Sequence, residues 1–443
     1  MTLRKRFVFG FVTICGGLLL LELGAMAVYP LMRNGGYSRR RIQQQLKIPF
    51  EGHKQSVAKE DPRYVKSFIL HPYIGFVAVP GSYRNHFDLT HGDGEVQINE
   101  FGFMGANPIL SKSSDRVNIC LLGGSFAQNF YLDSRETLKQ SLQRHGLFKG
   151  KEIQIISLAL SGYKQPQQLL ALSYMLSEGA EYDLVINLDG FNEAALPFAE
   201  NVPMKVYPSY PRLWRFYAAR ILNVEGAVQF AGLVEQTERR RSLQELFSKP
   251  ALSLSNLGLI VWEALDRRLE AGVTEHTAAL ERLVSESDAR TPTRNFESGG
   301  PTLPPYPSDA QFFSARAEHW ARTSTQIERL GIGAAFHYFH FLQPNQYVQN
   351  SKPFSSQEKT LAFSPRTRFP FRLAVEAAYP LLIERGRRLA ADGIKFTDLT
   401  GIFGENRVTI YEDVCCHVNK YGNDVVAEKI AATIANHYRS LKP

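Results

Sequence analysis

The pattern of apolar positions changes several times along the chain, and the changes mark different kinds of element. Phe7 to Leu21 is uncharged and almost wholly apolar, and apart from Glu22 this character continues to about Met32. Such a run is long enough to cross roughly 30 Å of hydrocarbon, so residues 1–32 are expected to form a single-pass transmembrane signal-anchor. Ala25-Met26-Ala27 has the small-x-small form of a cleavage site, which keeps a removed signal peptide open as the alternative. Residues 33–63 are polar and basic with weak periodicity and read as a linker or stalk. A compact region begins at about Tyr64, and short strands and turns are expected around His71–Phe76 and Val96–Phe103.

From there the apolar runs become short and evenly spaced. Val117–Leu122 is a buried-strand pattern ending in Gly123-Gly124-Ser125, a sharp turn. Asp133 with Glu136 fits a capping box, Leu138 and Leu142 supply a helical stripe, and Gly146 suits its C-terminal cap. The unit repeats with a strand at Ile153–Leu158, a turn at Gly162, and a helix between Pro166 and Gly179. A third strand follows at Asp183–Leu188. Alternation then gives way, at about 203–333, to helical stretches that include Leu254–Leu283 and to a Pro/Gly/Ser-rich stretch at Ser287–Ser308, which together read as an insertion. The sheet resumes at Ala335–Leu342, with a helix at about Leu373–Ala391, a strand at Ile394–Asp398, and a closing helix striped by Val425, Val426, Ile430 and Ile434. This order predicts an α/β domain over 64–443, a three-layer α/β/α sandwich on a parallel sheet, with sites gathered at the carboxyl ends of the strands.

Charge and composition narrow the classes of function. The net charge of +8 could signal nucleic acid, but much of the excess sits in Arg4, Lys5, Arg6, Arg39, Arg40 and Arg41, flanking the apolar run, where lipid head groups explain it. No nucleic-acid partner is therefore expected, and the contact with a membrane is expected through the N-terminal helix. Basic residues lie on both sides of that run, so orientation rests on the long C-terminal domain, which can translocate regardless of charge; an extracytoplasmic, periplasmic domain is expected. The four cysteines, Cys15, Cys120, Cys415 and Cys416, give no disulfide framework, and no second ligand cluster with zinc-like spacing accompanies Cys415-Cys416-His417.

Ser125, after a buried strand and two glycines, is placed as a nucleophile would be, although a helix-capping serine uses the same position. A serine hydroxyl needs a base in hydrogen-bond reach, itself held by a third group. The other turns supply candidates: Gly162, Gly190-Phe191-Asn192-Glu193, and Asp413 to His417. In order and spacing these four segments resemble the sequence blocks of the SGNH (GDSL-like) hydrolase superfamily, and Ile98-Asn99-Glu100-Phe101-Gly102-Phe103 resembles a lead-in of its membrane-anchored bacterial members. The resemblance implies the flavodoxin-like SGNH fold, with Ser125 as nucleophile, His417 as base and Asp413 as its acid. It also implies an oxyanion hole from Ser125, Gly162 and Asn192. One departure stands out: the family pattern is Asp-x-x-His, whereas Asp413 stands four residues before His417 and position 414 is Val. Glu412 and a backbone carbonyl therefore remain alternatives as the group that orients the imidazole. His337 and His340 fall in a strand and read as structural.

An α/β-hydrolase elbow is a rival, since Gly123-Gly124-Ser125-Phe126-Ala127 nearly fits Gly-x-Ser-x-Gly, but that fold places several strands before its serine. The expected activity is that of an extracytoplasmic serine esterase on acyl, O-acetyl above all, esters of surface or exported polysaccharide, needing no cofactor or metal. An O-acyltransferase using the same site and a non-catalytic binding or scaffold protein on the same fold are the alternatives.

Overall fold

The structure is a computed structural model and describes residues 13, 16–17, 20–25, 68–84, 95–203, 206–214, 224–290, 306–361 and 369–441. The stalk expected at 33–63 and most of the segment expected to cross a membrane lie outside these residues. Among the described residues no helix is long and apolar enough to cross a membrane.

The chain divides into two compact units, one of residues 64–219 with 292–443 and one of residues 1–63 with 220–291. The first unit opens with two antiparallel ribbons, β1 (Phe68–His71) with β2 (Gly75–Ala78) and β3 (Gly81–Arg84) with β4 (Glu95–Ile98). Its core is an α/β arrangement on a five-stranded parallel sheet. In chain order come β5 (Arg116–Gly123), α1 (Ser125–Arg144), β6 (Glu152–Ser157), α2 (Gln167–Ser177), β7 (Leu184–Asp189) and α3 (Phe191–Leu196). In the second unit, α4 (Val224–Phe247) and α5 (Asn256–Arg290) follow; back in the first come α6 (Asp309–Ala334), β8 (His337–Leu342), α7 (Ser356–Leu361), α8 (Phe369–Ala391), β9 (Lys395–Asp398) and α9 (Lys420–Ser440).

The strands lie in the order β6-β5-β7-β8-β9, all parallel. Counted from β5 as the first, this is 2-1-3-4-5, in which the winding reverses between the first and third strands and opens a crevice at their carboxyl ends. Alternate residues of β8 show that helices cover both faces. His340 packs on Trp320 of α6 with ring centroids 4.6 Å apart, whereas its neighbour Phe339 packs on His437 of α9 at 5.3 Å. Side chains of a strand alternate between faces, so α6 and α9 lie on opposite sides. On the α9 side α1 is joined to it by Ser134 and Thr137, which both donate to Asp424 at 2.7 Å.

Two local expectations are corrected. Helix α1 starts at Ser125 itself, so Asp133 and Glu136 are interior positions and no capping box; Asp133 instead accepts from Asn423 of α9 at 2.8 Å. The glycine pair, by leaving the strand so sharply, removes the need for a separate helix start eight residues on. Gly146 does cap the other end: at φ +81° its amide donates to Gln143 and that of Leu147 to Leu142, the paired bonds of a left-handed helix stop. The insertion is also narrower than 203–333. Helix α6 belongs to the sheet unit, because the indole of Trp320 is wholly buried and donates to Asp189 of β7 at 2.8 Å.

The second unit is a helical pair. Helices α4 and α5 pack along their lengths, with Arg240 gripping Asp266 through two bonds of 2.8 and 2.9 Å and Gln229 meeting His276 at 2.8 Å. Phe247, Leu259 and Trp262 form the apolar cluster at the closed end. The carboxylate of Glu22 accepts from Ser255 at 2.8 Å and from the amides of Asn256 and Leu257, satisfying donors that the start of α5 leaves free.

Candidate active site

Ser125 owes its position to the two glycines before it. β5 is buried from Val117 to Gly123, and its last residues pair with Leu188 and Asn187 of β7. Gly123 takes φ +150°, and a Cβ there would collide with the Leu188 carbonyl and Ala127. Gly124 is then the N-cap and Ser125 the first residue of α1. The hydroxyl thus stands at the carboxyl end of the central strand, and the Ser125 amide has no intrahelical acceptor.

His417 reaches this hydroxyl from the loop between β9 and α9. Ser125 Oγ lies 2.7 Å from His417 Nε2, and His417 Nδ1 lies 2.5 Å from Asp413 Oδ2. The loop's geometry explains the unusual spacing. Asp413 Oδ1 accepts from the amides of Cys415 at 2.8 Å, Cys416 at 3.0 Å and His417 at 3.1 Å, which winds the segment into one turn and leaves Oδ2 for the imidazole. A bridge between Tyr411 and Val418, with the Glu412 amide donating to the His417 carbonyl at 3.1 Å, closes the loop. Partial burial alone would raise the Asp413 carboxyl, but the imidazole and these amides hold it well below its ordinary range. Of the three candidates for orienting His417, Asp413 makes the contact.

Residues that no linear motif marks hold this loop. After β8, Asn345 donates to the Cys415 carbonyl at 3.1 Å, Gln346 to that of Asp413 at 3.0 Å, and the Tyr347 hydroxyl to that of Val414 at 2.7 Å. Further on, Lys352 and Glu358 form a wholly buried ion pair at 2.6 Å. Glu358 also accepts from the amides of Ile410 at 2.9 Å and Tyr411 at 3.1 Å, and Lys352 donates to the Val408 carbonyl at 2.8 Å. Their trace in the sequence is the group of amide side chains Gln343, Asn345 and Gln346 around Pro344, directly after a buried strand.

Gly162 and Asn192 sit at the ends of β6 and β7. Gly162 takes φ +80° in a turn where the Tyr163 amide donates to Leu160 at 3.0 Å. Asn192, the second residue of α3, is buried, and its Nδ2 donates to the Tyr163 carbonyl at 2.7 Å. A Cβ on Gly124 would collide with that same Nδ2 and stand 3.1 Å from the Tyr163 carbonyl, so Asn192 and the turn before Ser125 are in close approach. The four turns at the carboxyl ends of the sheet therefore come together, with a hydroxyl, an imidazole, a carboxylate and an amide side chain among them.

Beneath them lies a buried polar layer. His340 is buried as expected of a structural residue, with Nε2 2.9 Å from Asp189 and Nδ1 2.8 Å from Ser324; His337 packs on His437 and Tyr438. Glu193 accepts from the amides of Gln165 at 3.0 Å and Gly190 at 2.9 Å and from the Gln168 side chain at 2.9 Å. Burial and the nearby Asp189 push its carboxyl up. Burial also lowers the Lys164 ammonium to about 7, against the pull of Glu193 and Glu200.

Among the described residues one group of soft ligands converges: Cys415, Cys416 and His417 offer donor atoms within 4.8 Å of one another. Both ring nitrogens of His417 are already engaged, by Asp413 and Ser125, so a metal held by the imidazole would have to displace one of them. Compared with known proteins, the chain matches no family model and no curated protein sequence.

Proposed function

We propose that the chain is a serine-dependent acyl-ester hydrolase of the SGNH type, acting on O-acetyl or related esters of surface or exported polysaccharide. The observation that carries the reading is the continuous relay from Ser125 Oγ through His417 to Asp413, at 2.7 and 2.5 Å. In this reading the Ser125 hydroxyl attacks the ester carbonyl while His417 Nε2 takes its proton; Asp413 accepts from Nδ1–H, fixes the tautomer and stabilises the imidazolium. The carbonyl oxygen gains negative charge as the bond forms. Donors from the Ser125 amide, the Gly162 amide and the Asn192 side chain would meet it, each worth about 3 to 4 kcal/mol in reactions of this kind. Collapse expels the alcohol, which takes its proton from His417. Water, activated by the same imidazole, then releases the acid.

The strand order supports the flavodoxin-like arrangement over the α/β-hydrolase one, because Ser125 follows the first strand of the parallel sheet. An acyltransferase would share the first half-reaction and differ only in admitting a sugar hydroxyl in place of water. The membrane tether and extracytoplasmic location rest on the apolar run at 7–32 and its basic flanks. The decisive experiment is labelling with a fluorophosphonate: the intact protein should be labelled, and Ser125→Ala should abolish the label. Undiminished labelling of Ser125→Ala would overturn the assignment.

A further inference from the structure

We infer that Glu193 is a positioning residue, a buried strap that holds the two turns carrying Gly162 and Asn192 in register so that their donors converge on one point. This rests on the hydrolase reading, and it assigns a task to a carboxyl that takes no part in the relay.

The segment after β6 is tied to β5, where the Leu158 and Leu160 amides donate to the Leu121 and Gly123 carbonyls at 2.9 and 3.3 Å, and to α1, where the Ser161 amide donates to Gln128 at 2.8 Å; none of these bonds reaches the turn after β7. The segment after β7 is a single residue, Gly190, at φ +139°, before the short helix α3. An oxyanion hole made from both works only if they are fixed relative to each other, and misplacement of a donor by about 1 Å can cost 100-fold in rate. The backbone bonds of the Gly162 turn fix it to β5 and to itself, not to the turn that carries Asn192.

Glu193 bridges them. Its Oε1 accepts from the Gln165 amide at 3.0 Å and from Gln168 Nε2 at 2.9 Å, on the Gly162 side; its Oε2 accepts from the Gly190 amide at 2.9 Å, on the Asn192 side. Asn192, one residue earlier, adds the second tie, through its bond of 2.7 Å to the Tyr163 carbonyl. Adjacent residues on α3 thus grip both ends of the Tyr163–Gln165 segment. At 5% exposure the carboxyl is out of reach of a bulky substrate, so its effect must pass through the turns. All three contacts are donations to it. An amide in its place would turn a donor toward at least one N–H, which has no other acceptor to replace the lost bond.

The test uses Glu193→Gln, with Gln168→Ala as a milder variant that removes one of the three donors. Turnover of an activated acetyl ester and the rate of fluorophosphonate labelling are measured beside thermal unfolding. A positioning role predicts that kcat and the labelling rate of Glu193→Gln fall together by at least about tenfold, with KM within about twofold, because the donors act on the transition state. Gln168→Ala should show a smaller loss of the same form. Combined with Asn192→Ala, the Glu193→Gln loss should be much less than multiplicative, since both act through one donor set. Multiplicative losses, or a change confined to the unfolding temperature or KM, would overturn the proposal while leaving Ser125 as nucleophile. Absence of labelling in the unaltered protein would instead remove the hydrolase reading beneath it.

Discussion

Asp413 Oδ2 lies 2.5 Å from His417 Nδ1 although three residues separate them in the chain, because the other carboxylate oxygen collects the amides of Cys415, Cys416 and His417. One side chain thus both winds the turn and orients the imidazole. Asp413→Asn should lower turnover by at least about tenfold, since the amide cannot stabilise the imidazolium, and Glu412→Gln should change it far less. Steady-state kinetics of the two variants check this; the reverse ranking would reassign the acid to Glu412.

On the proposed mechanism, Ser125→Ala removes the covalent step and little else. Ester turnover should fall by several orders of magnitude, while the melting temperature moves by no more than about 2 °C, because a partly exposed hydroxyl at a helix start carries little packing. Calorimetry beside the assay separates this from unfolding.

Gly124→Ala gives a subtler probe of the oxyanion side. The new methyl must push Asn192 Nδ2 away from its place, and the Tyr163 carbonyl at 3.1 Å limits where it can go. A loss of about 100-fold in kcat, comparable to deletion of one donor, is expected with KM little changed. If kcat were unaffected, Asn192 would have no part in stabilising the transition state.

The buried pair of Lys352 and Glu358 makes a prediction about acid stability. Burial would raise the Glu358 carboxyl, but Lys352 and the amides of Ser355, Ile410 and Tyr411 hold it below its ordinary range. A carboxyl so depressed stabilises the fold at neutral pH, and that contribution disappears as pH falls below about 4. Lys352→Met should cost about 3 to 5 kcal/mol at pH 7, because it leaves a buried carboxylate unpaired. The gap between the two proteins should shrink as the pH is lowered, since the variant gains by protonating Glu358. Urea unfolding at pH 7 and pH 4 tests both points, and a gap that widened in acid would show that the pair does not stabilise the fold.

The alternation of apolar runs was enough to determine the parallel sheet and its helices, because a strand buried on both faces admits almost no polar residue and a turn at its end needs glycine. It marked the turns after the strands, but Gly162, Asn192 and His417 stand out among their neighbours only through the resemblance of those segments to the SGNH sequence blocks. The spacing of Asp413 leaves open whether it can reach His417, and the folded loop brings it there through three amide bonds that no linear pattern encodes. The same holds for Glu193, which looks like an ordinary acidic residue of a helix start until Gln165 and Gln168 are brought to it across 28 and 25 residues of chain. Helix α6 falls within the stretch where strand and helix cease to alternate, and only the packing of Trp320 against His340 and Asp189 decides where it belongs. Local propensity and periodicity are properties of neighbours in sequence. The meeting of Ser125 with His417, the bridge that Glu193 makes between two turns and the limits of the helical unit all depend on contacts between residues far apart in the chain, and these exist only once the sheet has closed.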